Sequence, residues 1–249
     1  MKYKFTLLAA TAFLASAALS QAAAIFNGSG TSGFGGVVGG SNMSWTDDGS
    51  TISVTFTKGP DNFNDQFVIY LANGSTGRGT IGTAVNDRQD ALRSAISFME
   101  SSTGKTLTFP TGFEATHAIG INTSFGGLWS IPSTGTVGNN GLVFVDTVNS
   151  TLSSAGQSSF TFSFSASEIG LTANRGADID FVATYLNPFG GNGNLGFASN
   201  EGYGGGFPND NIGQNDFAFT SFNTYTIVPE PAAAVMGLFG TLLLLRRRR

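Results

Sequence analysis

The side chains able to do acid–base or metal chemistry are few. The 249 residues hold one histidine, His117, and no cysteine. Without cysteine there are no thiolate nucleophiles, disulfides or thiolate metal sites, and a lone imidazole is a poor start for a zinc site. No Gly-x-Ser-x-Gly elbow is present, so His117 has no positioned nucleophile to serve. It precedes Ala118-Ile119-Gly120-Ile121 and reads as a structural or surface residue at a strand start. Asp178 and Asp180 fall on one face of a strand by its period of two, and Glu114, Asp146 and Glu168 lie near expected strand ends. Such carboxylates are the raw material of glycoside hydrolysis. With 16 acidic residues in the chain, neighbouring carboxylates arise by chance, and the preferred reading is non-enzymatic.

Oxygen-rich loops and aromatic rings offer binding chemistry instead. Residues 61–65 read Asp-Asn-Phe-Asn-Asp, and 208–216 read Pro-Asn-Asp-Asn-Ile-Gly-Gln-Asn-Asp. Hard cations favour such oxygen ligands, although neither stretch has EF-hand spacing. Ordinary Asn/Asp turns have the same composition. A calcium ion, the one cofactor considered, is assigned to Asp210, Asn211 and Asp216. For stacking on a sugar ring the candidates are Trp129, in Gly126-Gly127-Leu128-Trp129-Ser130, and Tyr203, in a Gly-rich stretch. Both are expected to be exposed if they bind; core packing is the competing expectation for Trp129.

Composition sets the frame that must position these groups. Charged residues make up 11% of the chain and there are 35 glycines, against about 25% charge and ~7% Gly in an average domain. Six of the 12 basic residues lie in the first four or last four positions, while all 16 acids fall between Asp47 and Glu230. Residues 25–230 therefore carry a formal charge near −10. A body this acidic, with no basic cluster, excludes nucleic acid as a partner.

Alternation then marks strands. Ile52, Val54 and Phe56 alternate with Ser53, Thr55 and Thr57, and Phe160, Phe162 and Phe164 repeat the pattern, as half-buried strands do. Residues 66–72 are apolar on both faces, which predicts a central strand. Further strands are expected at 106–109, 117–122, 141–148, 158–165, 179–186 and 216–228. Leu92, Ile96 and Met99 suggest one helix within 86–100, capped by Asn86 or Asp87. Residues 25–40 read as an irregular lead-in and 187–214 as one long loop, functional or mobile. The fold class expected is all-β: an antiparallel β-sandwich, jelly-roll-like, with at most one short helix in the body. Asp65 to Leu71, with later apolar strands at 118–121 and 180–186, resembles the strands of type-9 carbohydrate-binding and DOMON-like domains; that likeness implies a sandwich.

The two ends read as processing segments. Lys2 and Lys4 precede an apolar run and then Ala22, Ala23 and Ala24, the layout of a secretory signal peptide over 1–24 for signal peptidase. Cleavage is expected after Ala24, with Ala22 second. After the exported domain, 25–228, come Val228-Pro229-Glu230-Pro231, 14 residues without charge, and Arg246-Arg247-Arg248-Arg249. The prolines must end the last strand. As a helix the apolar run spans about 21 Å, short of the ~30 Å hydrocarbon core, so it makes a marginal anchor with the arginines as a cytoplasmic stop. Motif, apolar run and basic stop in this order resemble the PEP-CTERM sorting signal. That resemblance implies recognition of Pro229, Glu230 and Pro231 by an exosortase, a membrane-embedded protease. It also implies transit through the inner membrane of a Gram-negative bacterium to the surface or matrix, in company with exopolysaccharide and biofilm.

Overall fold

The structure is a computed structural model that describes residues 23–30, 40–100, 103–104, 106–150, 154–171, 176–187, 198–206 and 216–228. The expected apolar helices at the two ends lie outside these residues. In chain order the strands are β1 (Ala24–Asn27), β2 (Asn42–Asp47), β3 (Thr51–Thr57), β4 (Gln66–Ala72) and the short β5 (Thr80–Ile81). The helix α1 (Ala91–Ser97) precedes β6 (Met99–Glu100), β7 (Thr103–Gly104) and β8 (Leu107–Thr108). Then come β9 (His117–Ile121), β10 (Gly126–Ser130), β11 (Val143–Thr147), β12 (Asn149–Ser150) and β13 (Ser159–Ser165). A 3-10 turn, Ala166–Ile169, leads to β14 (Asp178–Asn187), β15 (Ala198–Tyr203), β16 (Phe217–Ala218) and β17 (Asn223–Thr226).

The chain is thus mostly β, and its two large sheets are antiparallel. One runs β1-β2-β3-β13-β12; the other runs β11-β10-β9-β4-β14, with β15 and β17 sharing the far side of β14. The phenylalanine ladders explain the first sheet. Phe160, Phe162 and Phe164 stand opposite Phe56, Val54 and Ile52, and all six side chains turn inward. Their Ser and Thr neighbours form the outer face, where the Thr55 and Thr161 hydroxyls lie 3.0 Å apart. Aromatic rings join the sheets: Trp45 stacks on Phe181 at 4.5 Å, and Phe56 on Phe67 at 4.3 Å. Rings so placed add to area burial.

The second sheet is covered on both faces. One face meets the first sheet through Phe67, Ile69 and Leu71; the other carries Val68 and Tyr70 into a second core with Leu92, Ile96, Phe109 and Trp129. That is why β4 is buried at every position and sits centrally, as its two apolar faces predict. The helix that covers it is shorter than expected. It starts after Asp90, whose Oδ1 accepts from the Arg93 N–H at 2.9 Å, so neither Asn86 nor Asp87 is the cap.

Three further expectations are corrected. The segment 25–40 begins with a strand: β1 pairs with β2 and brings Phe26 edge-on to Phe181 at 4.8 Å. The run 187–214 contains β15, paired with β14 through Tyr203, Gly202 and Glu201. The expected strand 216–228 is two strands in different sheets, because Ser221 bridges back to Gly205 between them.

Candidate functional site

Asp87 organises the chain beside a hollow at the start of α1. It is fully buried. Its Oδ1 accepts from the Gln89 and Asn140 N–H groups at 3.1 and 2.8 Å, and its Oδ2 from the Leu142 N–H and Arg93 Nη1 at 2.8 Å each. Burial by itself raises a carboxyl pKa, but these donors prevail and hold Asp87 below the usual carboxylate range. Arg93 also donates to the Leu142 carbonyl at 2.9 Å and reaches Asp90 at 3.3 Å. The start of α1 is thereby stapled to the turn that leads into β11. Asn140 takes φ 61 there, a left-handed conformation that Asn tolerates better than most residues.

Between α1 and the β9–β10 hairpin lies a half-open hollow of about 230 Å³, lined by Asp90, Ala91, Leu92, Asn122, Phe125 and Trp129. Each ring there has its own support. Asn122 Oδ1 accepts from the N–H groups of Ser124 and Phe125 at 2.8 and 2.9 Å, which fixes Phe125 at the hairpin tip. Trp129 lies over a glycine floor, for Gly127 stands opposite Gly120 in the ladder. A Cβ on Gly127 would sit 2.6 Å from the indole Cη2. A register shift between β10 and β11 puts Phe144 beside Trp129, their centroids 5.7 Å apart, and Phe125 completes a triangle at 6.4 Å from Trp129 and 6.5 Å from Phe144. Bulges re-aim side chains in this way. Phe125 and Phe144 are 39% and 45% exposed, and neighbouring Val143 55%.

The sequence-predicted residues divide as follows. Trp129 lines this hollow, but it is 3% exposed. It is a buried wall, as the core-packing expectation had it, and not an exposed platform. Tyr203 is fully buried, because it belongs to β15 and points between the sheets, edge-on to Phe67, with its hydroxyl 2.6 Å from Ser41 Oγ; its exposure is corrected, and it offers no stacking face. Asp210, Asn211, Pro229, Glu230, Pro231 and Arg246 to Arg249 lie outside the described residues. Asp216 uses Oδ1 to accept from the Thr106 N–H at 2.8 Å. Among the described residues no group of three His, Cys, Asp or Glu side chains could hold a metal. Asp178 and Asp180 are occupied by the Thr226 and Thr224 hydroxyls at 2.6 Å each, Glu114 by the Gly77 N–H, and Glu168 by the Ser165 N–H.

His117 is half-buried, 3.0 Å from Thr116 Oγ1, and burial pushes its imidazole down to about 4. The unfolded chain accepts a proton near pH ~6.5 that the folded state refuses. Stability is therefore full above about pH 6.5 and falls as pH drops toward about 4, where the loss levels off. His117→Gln is expected to flatten this slope, which is at most about 1.4 kcal/mol per pH unit. Urea titrations at several pH values across that window check it, and an unchanged slope would refute it.

What sequence reasoning missed is the set around Trp129: Asp90, Asn122, Phe125 and Phe144. A signal existed for part of it. Gly127 two residues before Trp129 leaves room on the same strand face for a large ring, and Asn122 precedes Phe125 at turn spacing. Comparison with known protein families, with curated proteins and with solved structures finds no match for this chain.

Proposed function

We propose that the chain is an exported, non-enzymatic protein of the bacterial cell surface or extracellular matrix, delivered by a PEP-CTERM-like segment at 229–249 and processed by an exosortase-type membrane protease. The supporting observation is that β17, the last described strand, ends at Thr226, shortly before the motif. The Ile227 N–H donates to Ala177 O at 2.9 Å and its carbonyl accepts from the Gly176 N–H at 2.7 Å. The Val228 N–H donates to Asp47, but the Val228 side chain is already 38% exposed. The motif starts at the next residue, and Pro229 has no N–H with which to extend a ladder. In this reading the two sheets are a jelly-roll-like sandwich: β3 and β13 pair in one sheet, and their successors β4 and β14 pair in the other. Exopolysaccharide is the companion expected at the destination.

Replacing Pro229-Glu230-Pro231 with three alanines in a host carrying an exosortase is expected to leave a membrane-bound form heavier than the wild-type product by the retained segment. Equal masses would overturn the assignment. Intact mass reports the other end too. Ala24 pairs with Trp45 in β1, so cleavage after Ala22 keeps that strand whole, whereas cleavage after Ala24 removes its first residue.

A second reading, that the exported domain is a carbohydrate-binding module, is favoured by one observation: the aromatic hollow, whose polar rim meets two exposed phenylalanines.

A further inference from the structure

Five large apolar side chains are exposed among the described residues, and two of them, Phe125 and Phe144, stand together beside the hollow with ring centroids 6.5 Å apart. Single exposed apolar residues are ordinary; a cluster beside a hollow marks a contact site. Resting on the second reading above, we infer that the hollow between α1 and the β9–β10 hairpin binds the terminal ring of a neutral saccharide, with Phe125, Phe144 and the edge of Trp129 against its C–H face, Asp90 accepting from its hydroxyls and the Asn122 Nδ2 donating to one of them.

Charge and size select this occupant. A cation would be drawn to a free carboxylate, but Asp90 is already bound to Arg93 through the backbone N–H at 2.9 Å and Nε at 3.3 Å. An anion meets Asp90 on the rim and an acidic body around it. An acyl chain would bury the half-exposed Asp90 carboxylate against hydrocarbon without returning a hydrogen bond, and that desolvation is costly. A neutral polyol avoids all three penalties. An ionised carboxylate has about four acceptor positions, so Asp90 keeps some for hydroxyl donors after serving Arg93. The rings present negative π faces to weakly positive C–H groups. The hollow, at about 230 Å³, is smaller than the ~300–1,000 Å³ of drug-sized ligand pockets. It takes one ring at a chain end and not a length of polymer. The rings are held in place by the Asn122 turn, the glycine floor and the β10–β11 register shift, so little ordering is left for the ligand to drive.

The test is a glycan array probed with the full chain, followed by titration of the best neutral hit with tryptophan fluorescence as readout. Phe125→Ala and Phe144→Ala remove exposed rings, so both variants should keep the wild-type melting temperature within a few degrees. Each is expected to weaken binding at least tenfold, while Ile25→Ala, an exposed apolar residue of β1, binds as wild type. Capping both ends of the hit with bulky groups should abolish binding. If neutral glycans bind but neither phenylalanine variant weakens them, the hollow is not the site and the carbohydrate reading survives. Silence across the array overturns both. Export stands or falls separately, on the mass of the 229–231 variant.

Discussion

Asp87→Ala is expected to cost about 3–5 kcal/mol, the range for breaking a buried ion pair by removing one partner. The loss has two parts. The Arg93 side chain, 12% exposed, keeps its charge with only the exposed Asp90 carboxylate and the Leu142 carbonyl to compensate it. The buried Leu142 N–H loses its acceptor, and an orphaned buried donor costs about 1–3 kcal/mol, whereas the Asn140 N–H belongs to an exposed residue that water can serve. Asp87→Asn should fall between wild type and alanine, since its carbonyl oxygen can still accept from two donors while its amide faces Arg93. Urea midpoints with an unchanged m-value check the ranking. A cost for alanine under about 1 kcal/mol would reduce the pair to the worth of a surface ion pair. The same substitution should reach the hollow, because Asp87 joins α1 to the turn before β11. Saccharide binding by Asp87→Ala is expected to weaken even at temperatures where the domain stays folded.

Asp87 also adds to acid sensitivity. Its folded pKa is depressed, so its stabilising contribution is present above the unfolded carboxylate value and is lost as pH falls through the folded one. His117 acts at higher pH, between about 6.5 and about 4. The two losses follow one another on acidification, and the His117→Gln slope isolates the first.

Strands whose signal is local were legible in the sequence. β3 and β13 announce themselves because one face is aliphatic or aromatic and the other hydroxylic, and β4 because both faces are apolar. β1, β10 and β15 were not legible, for a common reason. Ala24-Ile25-Phe26-Asn27, Gly126-Gly127-Leu128-Trp129-Ser130 and Ala198-Ser199-Asn200-Glu201-Gly202-Tyr203 are short or rich in Gly and polar residues, and only tertiary pairing makes them strands. Tyr203 was misplaced by the same fault: a Gly-rich stretch suggests a loop with an exposed ring, whereas pairing with β14 turns that ring inward. Trp129 was half legible. Its involvement could be guessed from its rarity, but its burial depends on Gly120, nine residues away on the neighbouring strand. Phe144 was illegible, because alternation within Val143-Phe144-Val145 cannot show a register shift.

Glu201→Gln is expected to destabilise the domain by about 2–4 kcal/mol, although the two side chains have nearly the same shape. Glu201 is fully buried. Its Oε1 accepts from Ser29 Oγ at 2.7 Å, the Gly30 N–H at 2.8 Å and the Gly202 N–H at 3.2 Å, and its Oε2 from the Ser41 N–H at 3.3 Å. All of these donors are neutral, and no basic side chain pairs with Glu201 among the described residues. Hydrogen bonds to a charged group are worth about 1.5–3 kcal/mol against 0.5–1.5 for neutral ones, so each contact weakens in glutamine. The new amide also points two donors toward groups that are themselves donors. Relief of carboxylate desolvation offsets part of this, which keeps the expected cost below the sum of the contacts. The clip matters because it ties both flanks of 31–39 to β15, and with them β1 to the core. Gly28 is part of its geometry: a Cβ there would stand 2.6 Å from the Glu201 carboxyl carbon. Gly28→Ala should therefore displace the carboxylate, and combining it with Glu201→Gln should cost less than the two changes added. A double-mutant cycle from urea unfolding is expected to show coupling of about 1 kcal/mol or more. Strict additivity would mean that the alanine is accommodated without moving Glu201, and that the carboxylate does not organise this end of the sheet.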